Sequence, residues 1–287
     1  MKKRAAGLFA SLFREKSAAA AFLFLCLTGV LCLCLPLLLQ DPNTIDVTAM
    51  LQGASSEHWF GTDELGRDYF LRTLYGGRVS LSVALAAMAA SGVIGVSVGL
   101  LSGYFGGWVD GVLMRLVDVL CAIPWLILVT VVSLFLRPGY GSVILVLGLF
   151  TWMELARMVR AETLSLKQRE YVLFAKANGA SSFHILLRHI LPGLAPTVIV
   201  ACTSNIAGAI LTESSLSFLG LGIQPPMSSW GNLLQSAQNN LQAAPHMVLL
   251  PGLFILLTVL AFNRLGDFLQ DHIEHGEGGE QPCALQE

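Results

Sequence analysis

"VSLSVALAAMAASGVIGVSVGLLSGYFGGWVD", residues 79–110, carries no charged side chain before its last residue, Asp110. A helix rises 1.5 Å per residue and needs about 20 apolar residues to cross the hydrocarbon of a bilayer, and this stretch exceeds that. It also places Gly95, Gly99 and Gly103 at intervals of four, one stripe along which a neighbouring backbone can approach closely. The spacing predicts tight helix packing on that face, with a dimer contact as the alternative.

Similar runs lie on both sides, at 18–39, 118–136, 141–154, 191 to beyond 212, and 247–262. Of the 287 residues 54% are hydrophobic and only 13% charged, and mean hydropathy is +0.67. A soluble domain carries about a quarter charged residues, so a large soluble core is excluded as the explanation. The fold class expected is an all-α integral membrane protein with six transmembrane helices. The first run has the basic start of a signal peptide but is long for one and lacks a small-x-small cleavage site, so it is read as a retained anchor. A formal net charge of −2 points to no partner, and no nucleic acid is expected.

Lys and Arg favour the cytoplasmic side of a membrane. Lys2, Lys3, Arg4, Arg14 and Lys16 precede the first run, and Arg157, Arg160, Lys167, Arg169, Lys176 and Arg188 crowd the connection between the fourth and fifth; Arg67, Arg72, Arg78 and Arg137 fall on the other side. With an even number of spans both termini are cytoplasmic. The organisation expected is a cytoplasmic segment 1–17, a first transmembrane helix 18–39, an extracytoplasmic amphipathic segment 40–78, a membrane core 79–270 and a cytoplasmic tail 271–287. Inside the core lie a charged central segment, 157–192, and an outer loop, 222–246. Turn residues at Asp41-Pro42 and Gly61 mark 40–78 as short amphipathic helices at the membrane face. The outer loop has Gly, Pro, Ser, Asn and Gln in place of leucine, which suits a re-entrant or cap-like loop at the mouth of a pathway.

Charged residues inside such a chain are costly and are satisfied against protein or water. Arg115 and Asp118 stand three apart on one helix face and can pair, as a structural ion pair or as part of a substrate passage; Pro124 then kinks or loosens the helix. Glu213 lies in a long uncharged stretch, "ILTESSLSFLGLGIQPP". Either it lines a polar cavity, or the helix has nearly ended and it bonds Ser214 or Ser215.

No phosphate loop GxxxxGK[ST] occurs, nor HExxH or CxxC, so the chain alone is expected to hydrolyse no ATP and to bind no cofactor or metal. Cys26, Cys32, Cys34, Cys121 and Cys202 sit in apolar runs, where cysteine acts as a small hydrophobe. His184 and His189 are five apart, too far around an α-helix for an i,i+4 metal pair. Cys283, His272 and His275 sit in a polar tail, read as disordered rather than as a weak metal site.

The central segment contains "EYVLFAKANGASSFHILLRHILP", residues 170–192. It predicts a helix over 170–178 with Tyr171, Phe174 and Ala175 on one side, ended by Gly179 in a left-handed conformation. Ser181 or Ser182 then caps a second helix, and Pro192 marks the start of the fifth span. Tyr171, Phe174, Ala175 and Leu186 form an apolar stripe that wants a groove in a partner, the alternative being a helix on the lipid interface.

This segment resembles the EAA motif of importer permeases of the ATP-binding cassette class, a Glu-Ala-Ala stretch followed by Gly, a hydrophobic residue and Leu-Pro. Ala175, Gly179, Leu191 and Pro192 occupy matching positions, whereas Leu173 and Phe174 replace the usual Glu and first Ala. Three more stretches, at 58–81, 216–234 and 261–272, resemble the C-type permease of dipeptide, oligopeptide and nickel importers. The resemblance implies a type I importer fold in a bacterial inner or plasma membrane and transport of peptides or nickel and metal complexes by alternating access. It implies as partners a similar B-type permease, two cytoplasmic subunits holding ATP and Mg, and an extracytoplasmic solute-binding protein. Glu170, Tyr171, Phe174, Ala175, Gly179, His189 and Pro192 then form the coupling surface. A self-contained secondary transporter or channel is the alternative, although no internal repeat of the halves is visible.

Overall fold

The computed structural model describes residues 11–38 and 41–277. Lys2, Lys3, Arg4 and Cys283 lie outside the described residues, as does the side chain of His275. The regular elements of the described chain are helices: α1 (Lys16–Leu38), α2 (Tyr69–Phe105), α3 (Gly107–Ala122), α4 (Trp125–Phe135), α5 (Tyr140–Phe150), α6 (Trp152–Leu166), α7 (Glu170–Ala177), α8 (Ser182–Ile185), a π turn (Leu186–Ile190), α9 (Leu191–Phe218), α10 (Trp230–Ala237) and α11 (His246–Glu277). Five stretches are long and apolar enough to cross a membrane: α1, α2, α5 with α6, α8 through α9, and α11. The expected third span is instead a pair, α3 and α4, bent by 85°. Pro124 sits at the break, where its ring and missing N–H prevent the helix from continuing; counted as one span, the pair makes six.

The long helix α2 is the post around which the others stand, touching α1, α5, α6, α9, α10 and α11. Its closest neighbour is α6, and the glycine stripe explains why. A Cβ on Gly95 would lie 2.9 Å from the Trp152 carbonyl oxygen, one on Gly99 2.5 Å from that of Ala156, and one on Gly103 2.7 Å from Thr163 Cβ. Real side-chain carbons do not come this close, so the backbones meet only because the side chains are missing. Around this seam Leu155, Val159, Ile190 and Leu194 pack as one buried cluster, and Val79, Val83 and Ala87 pack on Val143, Val146 and Leu147 as another.

The helix α2 begins at Tyr69, ten residues before the charge-free run, and so carries Arg72 inside it. That arginine is 4% exposed, and its guanidinium lies 3.3 Å from Asp63 and donates to Asn43 at 3.1 Å, so lipid never sees the charge. Asp68 caps the helix by accepting the Leu71 N–H at 3.0 Å. Of the amphipathic helices expected before α2, only one short 3-10 turn, Val47–Ala49, is present. The rest of 41–68 is irregular chain tied around Asp63, which accepts the N–H groups of Leu65 and Arg67 at 2.9 and 3.0 Å and the Arg67 Nε at 2.7 Å. Asp46 caps the 3-10 turn, and its bonds from the Thr48 hydroxyl and N–H hold its carboxyl below the usual carboxylate range.

Overpacking a tight contact costs about 1–3 kcal/mol, whereas Ala for Gly at an open helical site gains about 0.5–1 kcal/mol. Gly99→Ala is therefore expected to lower the apparent Tm of the purified chain by several degrees. Gly208→Ala, on α9 with nothing within 4 Å of the added carbon, should leave it unchanged or raise it. Thermal unfolding of both variants in one detergent checks the pair.

Candidate functional site

At one end of the bundle α6 leads into α7 through the Leu166–Arg169 turn, and three interactions fasten this region to α2 and α3. Arg160 of α6 grips Asp110 with two bonds, at 2.5 and 2.6 Å, and the Ser102 hydroxyl of α2 donates to the same carboxylate. Lys167 Nζ donates to the Tyr104 carbonyl at 2.5 Å and lies over the Tyr104 ring. Val172 of α7 is 2% exposed and joins the core cluster with Ile185 and Leu186. A short helix held on one face in this way moves with its neighbours.

Its other face is apolar and open. Phe174 is 72% exposed, and Tyr171 and Leu173 are about half exposed; Phe183 and Leu187, which the sequence pattern did not single out, extend the patch. Two residues of the expected stripe face inward instead. Ala175 is partly buried against the core cluster and Leu186 is 5% exposed, because the helix turns Val172 and Ala175, three apart, toward α9. Glu170 opens α7 in its first turn, where a negative charge suits the helix dipole.

Gly179 ends α7 with φ +78°. The Ala180 N–H donates to the Ala175 carbonyl at 3.1 Å and the Gly179 N–H to that of Lys176 at 3.1 Å, the paired bonds of a left-handed helix end. Ser181 caps α8 by accepting the His184 N–H at 3.3 Å. The chain then runs on into α9 without a break, through the π turn closed by the Leu191 N–H on the Leu186 carbonyl. The widened turn precedes Pro192, which has no N–H to offer the Arg188 carbonyl. An i to i+5 turn also brings positions five apart together, so the rings of His184 and His189 stand 5.7 Å apart, closer than an α-helix would set them, with Tyr171 6.3 Å from His189. Among the described residues no group of three His, Cys, Asp or Glu could hold a metal ion.

Asp118 does not pair with Arg115. It accepts from Arg157 of α6 at 2.8 Å, with both side chains about half exposed, while Arg115 points outward from α3. Two acid-base pairs, Asp118 with Arg157 and Asp110 with Arg160, therefore hold α3 to α6, alongside Val117 packed on Trp152, Met153 and Ala156.

Toward the other end of α9 Glu213 is fully buried, and it does more than bond its sequence neighbours. It accepts from Ser80 of α2 at 2.8 Å and from Ser217 at 2.7 Å, with Ser214 more distant at 3.5 Å. The outer loop folds over this spot. Gly220, φ +78°, ends α9 with the same paired bonds that end α7. Ser229 and Asn232 form a reciprocal cap at the start of α10. Trp230 is buried, donates its ring N–H to the Thr73 carbonyl at 3.1 Å and stacks on Phe254. The loop is also tied to the segment before α2 through Asn240 to Glu64 at 2.8 Å, and nearby the Tyr69 hydroxyl of α2 donates to the Met247 carbonyl of α11 at 2.7 Å.

A family model described as the binding-protein-dependent transport system inner membrane component matches residues 95–277. The glutathione transport system permease protein GsiD of Pectobacterium atrosepticum is 44% identical over 232 residues, 81% of this chain and 77% of that protein. A putative peptide permease protein of Brucella suis is 43% identical over 232 residues, 80% of this chain and 77% of that one. Among solved structures, one described as inward facing conformations of the MetNI methionine ABC transporter superposes with a TM-score of 0.55 at 19% identity, covering 70% of this chain and 97% of that chain. That likeness is one of fold.

The geometry ranks the two ion pairs. Arg160 and Asp110 are 34% and 21% exposed and doubly bonded, whereas Arg157 and Asp118 are 48% and 57% exposed and singly bonded. A double-mutant cycle to alanine is expected to give a coupling of about 1 kcal/mol for the first pair and below about 0.5 kcal/mol for the second, measured by unfolding in mixed micelles.

Proposed function

Because this chain belongs to the family of binding-protein-dependent transport system inner membrane components, we propose that it forms half of the membrane pathway of an ATP-driven importer of short peptides. A B-type permease supplies the other half. Two cytoplasmic subunits bind ATP and Mg and hydrolyse the nucleotide, and an extracytoplasmic solute-binding protein delivers the cargo. Family membership speaks against a self-contained channel or secondary transporter. The names of the relatives, glutathione permeases and peptide permeases, support small peptides, glutathione-like peptides among them, over nickel or metal chelates as cargo. The Lys and Arg distribution supports cytoplasmic termini.

The observation that carries the coupling role is the two-sided character of α7. Its inner face is buried, and α6, to which it is joined, is held on α2 by bare backbone contact and the Lys167 bond and on α3 by a doubly bonded ion pair. Its outer face offers Tyr171, Leu173 and Phe174 to a groove, with Phe183 of α8 and Leu187 of the π turn beside them. A stiff connection of this kind passes on a rigid-body displacement, which a floppy loop would absorb. Glu170, Gly179, His189 and Pro192 act through shape: the first opens the helix, Gly179 turns the chain, and the π turn before Pro192 joins it to α9. Leu173 and Phe174, standing where the family offers Glu and Ala, make this dock more apolar.

Phe174→Glu tests this reading. Burying a phenylalanine contributes about 1.5–3 kcal/mol, so the charged variant is expected to weaken assembly with the ATP-binding subunits by roughly tenfold or more and to cut uptake correspondingly. The stability of the chain itself should stay the same, since the ring is already exposed. Undiminished assembly and uptake would contradict the docking role.

A further inference from the structure

Glu213 sits near the outer end of α9, roughly 33 Å along it from Leu191 at 1.5 Å per residue, and forms no ion pair among the described residues. Its two oxygens are instead the end points of two short relays. The Trp230 N–H donates to Ser80 Oγ at 3.2 Å, and that hydroxyl donates to Glu213 Oε2 at 2.8 Å. The Ile223 N–H donates to Ser217 Oγ at 3.0 Å, and that hydroxyl donates to Glu213 Oε1 at 2.7 Å. A backbone N–H can only donate, so each serine oxygen accepts from the loop and its single proton is directed to the carboxylate. Both carboxylate oxygens therefore act as acceptors, and Glu213, Ser80 and Ser217 are all fully buried.

Ser215 shows what a serine on this helix does without such an acceptor. Its hydroxyl turns back to the Leu211 carbonyl at 2.7 Å, the usual behaviour of serine in a helix. Ser217 keeps the other orientation, toward the loop, because Glu213 takes its proton. The loop in turn is shaped to come this close: a Cβ on Gly222 would collide with Ser217 Oγ, and one on Gly231 would lie 2.8 Å from Ser217 Cβ. Between the two anchored amides the loop is tied to itself, since Asn232 Nδ2 donates to the carbonyls of Ile223 at 3.2 Å and Met227 at 2.9 Å. Fixing Ile223 and Trp230 therefore fixes the whole of 219–237.

We propose that Glu213 is a positioning residue that locks the outer loop to α2 and α9 through Ser80 and Ser217, so that the loop travels with those helices as one lid over the outer mouth of the pathway. The transport consequence rests on the permease reading above; the positioning itself does not. The lock makes the pose of the loop depend on the helices whose inner ends carry α7, which links the two faces of the membrane through a single body.

Hydrogen exchange by mass spectrometry on the full chain in lipid nanodiscs tests the lock. Glu213→Ala is expected to speed exchange in peptides covering 219–237 by about tenfold or more, while peptides of α2 and α9 change less than about twofold. Glu213→Gln keeps one acceptor oxygen and should release one anchored amide while holding the other. Ser217→Ala, a mild change that decides the matter if Glu213→Ala does not fold, should release the Ile223 side alone. Unchanged exchange in 219–237 in the variant that folds would overturn the lock. In proteoliposomes of the assembled transporter, with glutathione as the probe, uptake in Glu213→Ala should fall by about fivefold or more with substrate-free ATP hydrolysis unchanged. Unchanged uptake despite a released loop would overturn the lid role, and a wild-type chain that assembles with no ATP-hydrolysing subunit would sink the permease reading while leaving the exchange result to decide the lock.

Discussion

Backbone meets backbone where α2 crosses α6. At Gly95, Gly99 and Gly103 an added Cβ would overlap main-chain atoms or Thr163 of the opposing helix, and nearly every other feature depends on that closeness. In lipid no hydrophobic force drives one apolar helix onto another, so association rests on dispersion over closely matched surfaces and on polar contacts. The glycine stripe supplies the first. The end of the stripe near α7 supplies the second, where Arg160, Asp110, Ser102, Lys167 and Tyr104 join α2, α3 and α6. With that seam closed, α6 cannot slide on α2, and α7, which follows α6 after a three-residue turn, inherits the same restraint.

Two features sit at opposite ends of this body. At one end α7 buries Val172 and presents Phe174. At the other Glu213 gathers two serines and, through them, the loop before α10. The pair α3 and α4 is attached differently, by the ion pairs to α6 and a small cluster around Val117, and it is sharply bent at Pro124. Its outward side is broadly apolar, with Trp108, Val112, Leu116 and Val119 exposed, as is natural for a chain that lives among lipid and other subunits.

Much of this was legible in the sequence, where a feature depended on local rules. Charge-free runs located the spans, the four-residue glycine spacing announced the tight seam, and Gly179 and Ser181 marked the turn that separates α7 from α8. Pro124 announced a break, though not its angle, which depends on what the second half packs against. Pattern reading failed where tertiary partners decide. The charge-free run begins only after Arg78, whereas the helix starts at Tyr69, because Asp63 and Asn43 shelter Arg72 within it. Ala175 and Leu186 turn inward because both pack on the cluster around Val172 and Ile185, and the π turn, for which no sequence signal stands out beyond Pro192, brings His184 to His189. Glu213 could be seen as anomalous, but its main partner Ser80 lies 133 residues away, beyond any spacing rule.

The central claim is that α7 and α2 move as one body while the proposed transporter changes state. Pulsed electron resonance between spin labels at Leu101 of α2 and Lys176 of α7, in the assembled complex with and without nucleotide, measures this directly. A distance constant to within about 2 Å, with a distribution that stays narrow, is the result predicted for a rigid connection. A shift or broadening well beyond that on nucleotide binding, with the two helices parting, would contradict it.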